Sequence, residues 1–136
     1  MTSGRMASMP DTIDTYRTLT PYLVVPDADA EMTFLKTAFG ATERSCQRNS
    51  DGTVMHAELT VGDSLVMIGQ ANGQWKALSG ALYLWVPDVD TLYARALDAG
   101  ATSQSAPEDK PYGHRNAGVV DQNGITWWIG SPIARS

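Results

Sequence analysis

The sequence of 136 residues has a single cysteine, Cys46, and no long hydrophobic run. One cysteine excludes an intramolecular disulfide and any zinc site built on several thiolates. A membrane-spanning helix needs about 20 consecutive apolar residues, and no stretch approaches that length. Residues 1–9 also lack the apolar segment of a secretory signal. We therefore expect a cytoplasmic protein without a membrane anchor, in which residues 1–16 form a disordered or added N-terminal segment.

Basic residues are also few, because 10 Lys and Arg residues face 15 Asp and Glu residues and the net charge is −5. Nucleic-acid binding depends on clustered Lys and Arg, and anionic membrane surfaces attract the same residues. Neither a nucleic acid nor a membrane is therefore an expected partner. Hydrophobic residues make up 43% of the chain and charged residues 18%, which is typical of a globular protein.

The sequence repeats itself, since three segments recur in the same order about 60 residues later. The matching segments are YLVVPDAD at 22–29 and YLWVPDVD at 83–90, GAT at 40–42 and at 100–102, and LVMIG at 65–69 and TWWIG at 126–130. Such a repeat predicts two copies of one structural unit. We assign residues 17–69 to the first module, 70–80 to a linker and 81–133 to the second module.

Each copy is predicted to form a strand, a helix and three further strands. The predicted elements of the first copy are strand Leu19–Val25, helix Ala30–Phe39 and strands Thr42–Arg48, Thr53–Val61 and Ser64–Gly69. Those of the second copy are strand Ala81–Val86, helix Val89–Ala99 and strands near Thr102, at Ala117–Val120 and at Ile125–Gly130. Asp27 or Asp29 is expected to cap the first helix, and Gly40 to end it. The fold class is therefore α+β, with two βαβββ modules.

Alternation along the strands predicts two different faces for each sheet. The face beneath the helices should be apolar, and we assign Met55, Leu59 and Trp127 to it, among others. The opposite face has no helix left to cover it and carries aromatic and polar side chains, which suits a small-molecule cleft. The candidate ligand-binding residues, on this face and in loops beside it, are Tyr22, His56, Glu58, Met67, Trp75, Tyr83, Trp85, Tyr112, His114 and Trp128. Trp75, in the linker, is interpreted equally as a lid over the cleft or as a cover for a sheet edge.

These features resemble the vicinal oxygen chelate superfamily, which contains glyoxalase I, extradiol dioxygenases, fosfomycin-resistance enzymes and bleomycin-resistance proteins. The resemblance is carried by the repeated YLVVPDAD-type motif, the helix after it, FGA at 39–41 and DQNGITWWI at 121–129. It covers about residues 17 to 133. It implies a curved mixed sheet around a cleft and a homodimer, often with modules of two chains around each cleft.

The resemblance also implies a divalent metal held by His, Glu or Gln from four strands. In this sequence the four positions fall on residues that are poor ligands, namely Thr20, Met67, Ala81 and Trp128. We therefore expect no metal and no other cofactor. Two alternatives involve other residues, because His56, Glu58 and His114 could bind a metal, or His56 and Glu58 could be catalytic as an acid–base pair. We favour a simpler interpretation, in which they are hydrogen-bonding groups in a wet cleft.

The favoured function is binding without metal, of the bleomycin-resistance type. The ligand would be an aromatic compound that stacks among the rings of the cleft, and the negative net charge would favour a cationic one. The rival hypothesis is an enzyme of the same superfamily, a lyase, isomerase or dioxygenase that uses His56 and Glu58. A third is binding of an ordinary metabolite. Arg115 is expected to form a structural ion pair rather than to contact the ligand.

Overall fold

The computed structural model describes residues 16–133, which form two sheets and two helices. The elements are β1 (Tyr22–Val25), α1 (Ala28–Phe39), β2 (Thr42–Arg48), β3 (Val54–Val61), β4 (Ser64–Gln70), β5 (Gly80–Trp85), α2 (Val89–Asp98), β6 (Thr102–Asp109), β7 (His114–Val120) and β8 (Ile125–Pro132). This is the predicted βαβββ order, present twice. The predicted segment 1–16 lies outside the described residues, except for Tyr16.

Both sheets have the same topology. Their strand orders are β1-β4-β3-β2 and β5-β8-β7-β6. In each sheet the first and last strands of the module are parallel neighbours, and the other pairs are antiparallel. The pairing of Tyr22 with Met67 in the first sheet is matched by Tyr83 with Trp128 in the second. The repeat in the sequence is therefore a repeat of backbone register.

The helices begin at capping aspartates. The Asp27 side chain accepts a hydrogen bond from the backbone N–H of Ala30, and Asp88 does the same for Thr91 at the start of α2. Of the two predicted caps for α1, Asp27 is thus the one observed. Gly40 ends α1 in the left-handed conformation, at φ 69°, which suits a residue without a Cβ atom. Neither helix of the described part of the chain is long and apolar enough to cross a membrane.

The core lies between the sheets and the helices, and α1 contacts α2. Trp127 is 1% exposed and its ring meets that of Phe39 at a centroid distance of 5.4 Å. The prediction that Trp127 faces the core is confirmed. The prediction for Met55 is wrong, because Met55 is 49% exposed and Val54 is buried instead. The pairing of β2 with β3 shifts by one residue at this point, so an extra residue in β3 reverses the alternation.

A buried polar network joins the two modules. Asn123, in the turn before β8, accepts a hydrogen bond from the Asp27 backbone N–H and donates to the Asp27 carbonyl and to Oε1 of Glu31. Glu31 is 1% exposed, and burial together with the neighbouring Asp121 carboxyl raises its pKa to about 9. Asp121 in turn accepts a hydrogen bond from Nε1 of Trp127. The modules are therefore joined through their helix side, which leaves the opposite face of each sheet uncovered.

Candidate functional site

The uncovered face of the first sheet carries a cavity of about 690 Å³. Strands β1, β3 and β4 form its floor, and the linker after β4 forms one side. The residues that matter most in its wall are Tyr22, Met55, His56, Gly69, Asn72 and Trp75. Its size lies within the range typical of small-molecule sites.

A tyrosine, a histidine and a glycine form the floor of this cavity. A Cβ atom on Gly69 would lie 3.0 Å from Oη of Tyr22, a tight contact that would displace the ring by a few tenths of an ångström. The Tyr22 ring lies 5.5 Å from that of His56, tilted by 50°. The Tyr22 hydroxyl and Nδ1 of His56 are 3.4 Å apart. The floor thus combines aromatic surface with polar atoms that can orient a ligand.

The linker places Trp75 at the edge of the cavity. The Asn72 side chain accepts hydrogen bonds from the backbone N–H groups of Gln74 and Trp75, and the backbone N–H of Asn72 donates to the Trp75 carbonyl. These contacts tie the loop backbone at Trp75 to Asn72. Trp75 is 61% exposed although it lines the cavity. Trp75 therefore lies in the cavity wall with most of its side chain exposed, and its role as a lid stays a prediction.

Behind His56 lies a cluster of charged side chains. Nε2 of His56 is 3.1 Å from Oε2 of Glu58, and the hydroxyl of Tyr16 donates to the same oxygen at 2.7 Å. Arg44 lies 4.0 Å from the other carboxylate oxygen. Arg44 is the extra residue at a shift in the β2–β3 register, and such a bulge re-aims a side chain. Neither Tyr16 nor Arg44 is among the predicted site residues, because Tyr16 precedes the first predicted strand and the alternation along β2 breaks at Arg44.

The surroundings of Glu58 favour its ionised form. Burial raises its pKa, since the residue is only 7% exposed. Hydrogen bonds from Tyr16 and His56, with the charges of His56 and Arg44, outweigh burial and hold the pKa of Glu58 below its usual range. Glu58 is therefore a carboxylate at neutral pH.

The second sheet repeats the tyrosine–glycine–histidine arrangement with different neighbours. The Tyr83 ring occupies the space where Gly130 lacks a side chain, and its hydroxyl is 3.2 Å from Nδ1 of His114. Trp85 and Tyr112 flank His114 at centroid distances of 4.7 Å and 5.2 Å. The rings of Tyr83, Trp85 and Tyr112 are exposed, and Tyr112 is the most exposed of them at 64%.

In the second sheet, Gly118 stands at the position that matches Glu58, and the ring of Trp128 occupies the space beside it. Gly118 pairs with Trp128 as Glu58 pairs with Met67. The ring of Trp128 lies against Gly118, where any Cβ atom would overlap it. The charged cluster of the first module therefore has no counterpart at this position of the second module.

The ten predicted site residues fall into three groups. Tyr22, His56 and Trp75 line the first cavity, with Glu58 directly behind it. Tyr83 and Trp85 line a separate cavity of about 660 Å³ where β5 faces residues 17–21 and the turn between β3 and β4. The others line neither cavity: Met67, Tyr112, His114 and Trp128. Arg115, as predicted, forms ion pairs, with Asp90 and Asp109.

The side chains at the superfamily's metal positions do not suit a metal. Thr20, Ala81 and Trp128 offer no carboxylate or imidazole, and the thioether of Met67 is a soft ligand. Elsewhere in residues 16–133, no group of three or more His, Cys, Asp and Glu side chains is arranged to hold a metal ion. These four positions therefore do not form a divalent-metal site of the superfamily type.

The comparison with known families agrees with this geometry. The profile of the Glyoxalase/Bleomycin resistance protein/Dioxygenase superfamily matches residues 12–129. The chain belongs to this superfamily. An uncharacterised protein of Mycobacterium tuberculosis is 36% identical over 126 residues, which cover 85% of this chain and 74% of that relative.

Solved structures of the superfamily share the fold. TioX from Micromonospora sp. ML1 has a TM-score of 0.74 and 27% identity, with 87% of this chain and 100% of that chain covered. The fosfomycin resistance protein FosX from Mesorhizobium loti has a TM-score of 0.64 and 16% identity, with 92% and 95% covered. At 16% identity, the likeness to FosX concerns the fold alone, so the function must be argued from the site.

Proposed function

We propose that this superfamily member is a small-molecule-binding protein of the bleomycin-resistance type, which sequesters an aromatic compound without a metal. The observation that carries the proposal is the cavity of about 690 Å³ between Trp75 and the Tyr22–His56 pair. A planar ligand there would contact aromatic rings from the sheet and from the linker. Stacking between aromatic groups contributes about 0.5–1.5 kcal/mol per pair beyond the burial of apolar area.

Charge supports a preference for cationic ligands. The chain carries a net charge of −5, and the Glu58 carboxylate lies directly behind His56. A negative field raises the local concentration of cations and attracts them into a cleft. A cation above an aromatic ring gains a further interaction with the π-electrons. A positively charged planar compound should therefore bind more tightly than a neutral one of the same shape.

Titration with 9-aminoacridine, a planar cation, and with neutral acridine tests this proposal. Binding should quench tryptophan fluorescence with saturation, and the cation should bind more tightly. Trp75→Ala should weaken the binding of 9-aminoacridine by about tenfold or more, since 1.4 kcal/mol is one decade in Kd. Leu78→Ala is the matched control, because Leu78 is 70% exposed in the same linker and lines neither cavity. Equal losses in the two variants, or no saturable quenching, would contradict the proposal.

The proposed assembly is a cytoplasmic homodimer. Tyr83, Trp85 and Tyr112 are all about half exposed or more, and β5 is an edge strand of its sheet. Clustered exposed rings and an open edge are typical of an interaction surface. Pairing would bring second-module rings of one copy towards the first-module cavity of the other. Light scattering should give twice the chain mass of 14.7 kDa, and a monomer at micromolar concentration would contradict the dimer.

A further inference from the structure

Four side chains form a continuous hydrogen-bonded chain that ends in the first cavity. Tyr16 donates to Glu58 at 2.7 Å, Glu58 is 3.1 Å from Nε2 of His56, and Nδ1 of His56 is 3.4 Å from the Tyr22 hydroxyl. Carboxylate, imidazole and phenol thus follow one another in the order found in nucleophile and general-base sites. The binding function proposed above makes no use of this order.

The carboxylate determines which nitrogen of His56 carries the proton. An ionised carboxylate only accepts hydrogen bonds, so Nε2 of the neutral imidazole must be the donor towards Glu58. Nδ1 then carries the lone pair and lies on the side of the Tyr22 hydroxyl. The basic nitrogen of His56 is therefore the one nearest to the floor of the cavity.

Exposure separates the roles of the two residues. The His56 side chain is 29% exposed and lines the cavity, whereas the Glu58 side chain is 10% exposed and does not line it. A bound molecule can therefore reach the imidazole but not the carboxylate. Tyr22, which lines the cavity beside His56, has a hydroxyl that can donate to an oxygen of the same molecule.

We propose that the first cavity is a metal-free proton-transfer site in which His56 is the general base and Glu58 is its positioning residue. This inference rests on the binding function proposed above, because the substrate must first enter the aromatic cavity. The substrate class is a planar aromatic compound with a C–H bond acidified by an adjacent C=N or C=O group. Such a compound stabilises its own developing negative charge, and Tyr22 donates a hydrogen bond to the atom that receives it.

The second module contains the same pair without the carboxylate. The Tyr83 hydroxyl and Nδ1 of His114 are 3.2 Å apart, compared with 3.4 Å for Tyr22 and His56 in the first module. Among the described residues no Asp or Glu forms an ion pair with His114. Asn116 replaces His56 at the matching strand position, and its amide donates to the Tyr112 hydroxyl. The proposed base is therefore confined to the first module.

The probe for this inference is 5-nitrobenzisoxazole, a planar compound whose elimination needs only a base. Nδ1 of His56 takes the proton from the C–H carbon, and the C–H electron pair forms the third bond of a nitrile. The N–O bond breaks, and the oxygen leaves with its electron pair as 2-cyano-4-nitrophenolate. The imidazolium then returns its proton to water. No oxidant, reductant or second reactant takes part, and the coloured phenolate reports the rate directly.

Saturable elimination is expected from the full-length protein. Its kcat should fall by about 100-fold in His56→Gln, since a positioned base contributes roughly 10²–10⁴-fold. Glu58→Gln should lower kcat by about tenfold and leave KM within about twofold, because Glu58 orients the base and does not touch the probe. Glu43→Gln is the matched control that removes a carboxylate paired with Lys36 elsewhere in the module, and it should retain the full rate. If Glu58→Gln does not fold, Tyr16→Phe removes one hydrogen bond to Glu58 and should lower kcat to a smaller extent.

Fluorescence quenching by the same probe separates the two proposals. One outcome is that the probe binds, that Trp75→Ala abolishes this binding, and that the elimination rate does not exceed that of free imidazole at equal concentration. This outcome would overturn the proton-transfer site and leave the binding function intact. An equal rate in the wild type and in His56→Gln would also overturn it. Failure of the probe to bind at all would count against both proposals. If Glu58→Gln raises KM and leaves kcat unchanged, Glu58 has a structural role and is not a positioning residue for the base.

Discussion

The two modules share a backbone but differ in what they place on the uncovered face. Both have a tyrosine over a glycine, and both have a register shift at the same point of their second strand. In the first module Glu58 pairs with Met67, whereas in the second Gly118 pairs with Trp128. The first face is therefore charged and bounded by a linker, and the second is a set of exposed rings. The two faces thus share one backbone and differ in a few side chains.

The largest expected effect separates the two faces of β8. Trp127→Ala should lower the free energy of unfolding by about 3–5 kcal/mol, because Trp127 is fully buried and donates to Asp121. Trp128→Ala should cost roughly 1–2 kcal/mol, since that ring is half-buried and lies on Gly118. Urea denaturation of both variants measures the difference. The reverse ranking would mean that the faces are assigned wrongly.

The next effect tests why the second module needs a glycine opposite Trp128. Gly118→Ala should destabilise the protein by about 1–3 kcal/mol, because the added Cβ atom would overlap the Trp128 ring. In a Trp128→Met background, which copies Met67 of the first module, the same substitution should cost less than about 1 kcal/mol. A double-mutant cycle with urea denaturation gives the coupling. Equal costs in both backgrounds would show that the ring does not require the glycine.

The contact between the modules should make stability depend on pH. Glu31 has a pKa of about 9 in the folded protein, whereas an unfolded glutamate titrates at about 4.3. The contribution of protonated Glu31 to the free energy of unfolding is therefore fully present below about pH 4.3, and it is lost as the pH rises towards 9. Glu31→Gln should flatten this slope and raise the Tm by several degrees at pH 8. Thermal scans from pH 5 to pH 9 measure the slope, and a slope unchanged by the substitution would contradict the prediction.

The smallest effect on stability is expected from the exposed ion pairs on the surface of each module. Arg48 binds Asp29, and Arg115 binds both Asp90 and Asp109. Arg48→Gln should cost at most about 1 kcal/mol, as exposed pairs usually do, and less at high salt. Arg115→Gln should cost somewhat more, since two partners share one ordered guanidinium. Denaturation at low and high salt distinguishes the two variants, and a larger loss in Arg48→Gln would contradict the ranking.

The sequence was sufficient for the fold because the fold depends on patterns that extend over many residues. The repeat predicted two βαβββ modules, and alternation assigned Trp127 to the core. The error at Met55 came from one extra residue in β3, which reverses the alternation locally. Register shifts of this kind depend on pairing with a neighbouring strand, so a single strand's pattern does not reveal them.

The site was predictable only as a collection of residue types. His56, Glu58 and Tyr22 were identified from strand alternation, and their hydrogen bonds follow from the register of β1, β3 and β4. The contact of Tyr16 with Glu58 joins residues 42 positions apart through an irregular segment, which no periodicity predicts. Which candidates line the first cavity, which line the second and which line neither depends on how the modules pack, and it is likewise absent from any local pattern.

The most direct test of the account is to map where a planar aromatic cation binds. Amide and indole chemical shifts in a ¹H–¹⁵N NMR titration with 9-aminoacridine report contact residue by residue. The account predicts saturable shifts at His56, Gly69, Asn72 and Trp75, which surround the first cavity. Shifts confined to Asp63, Leu82 and Leu92, which line the cavity between the modules, would contradict it, as would the absence of saturable shifts.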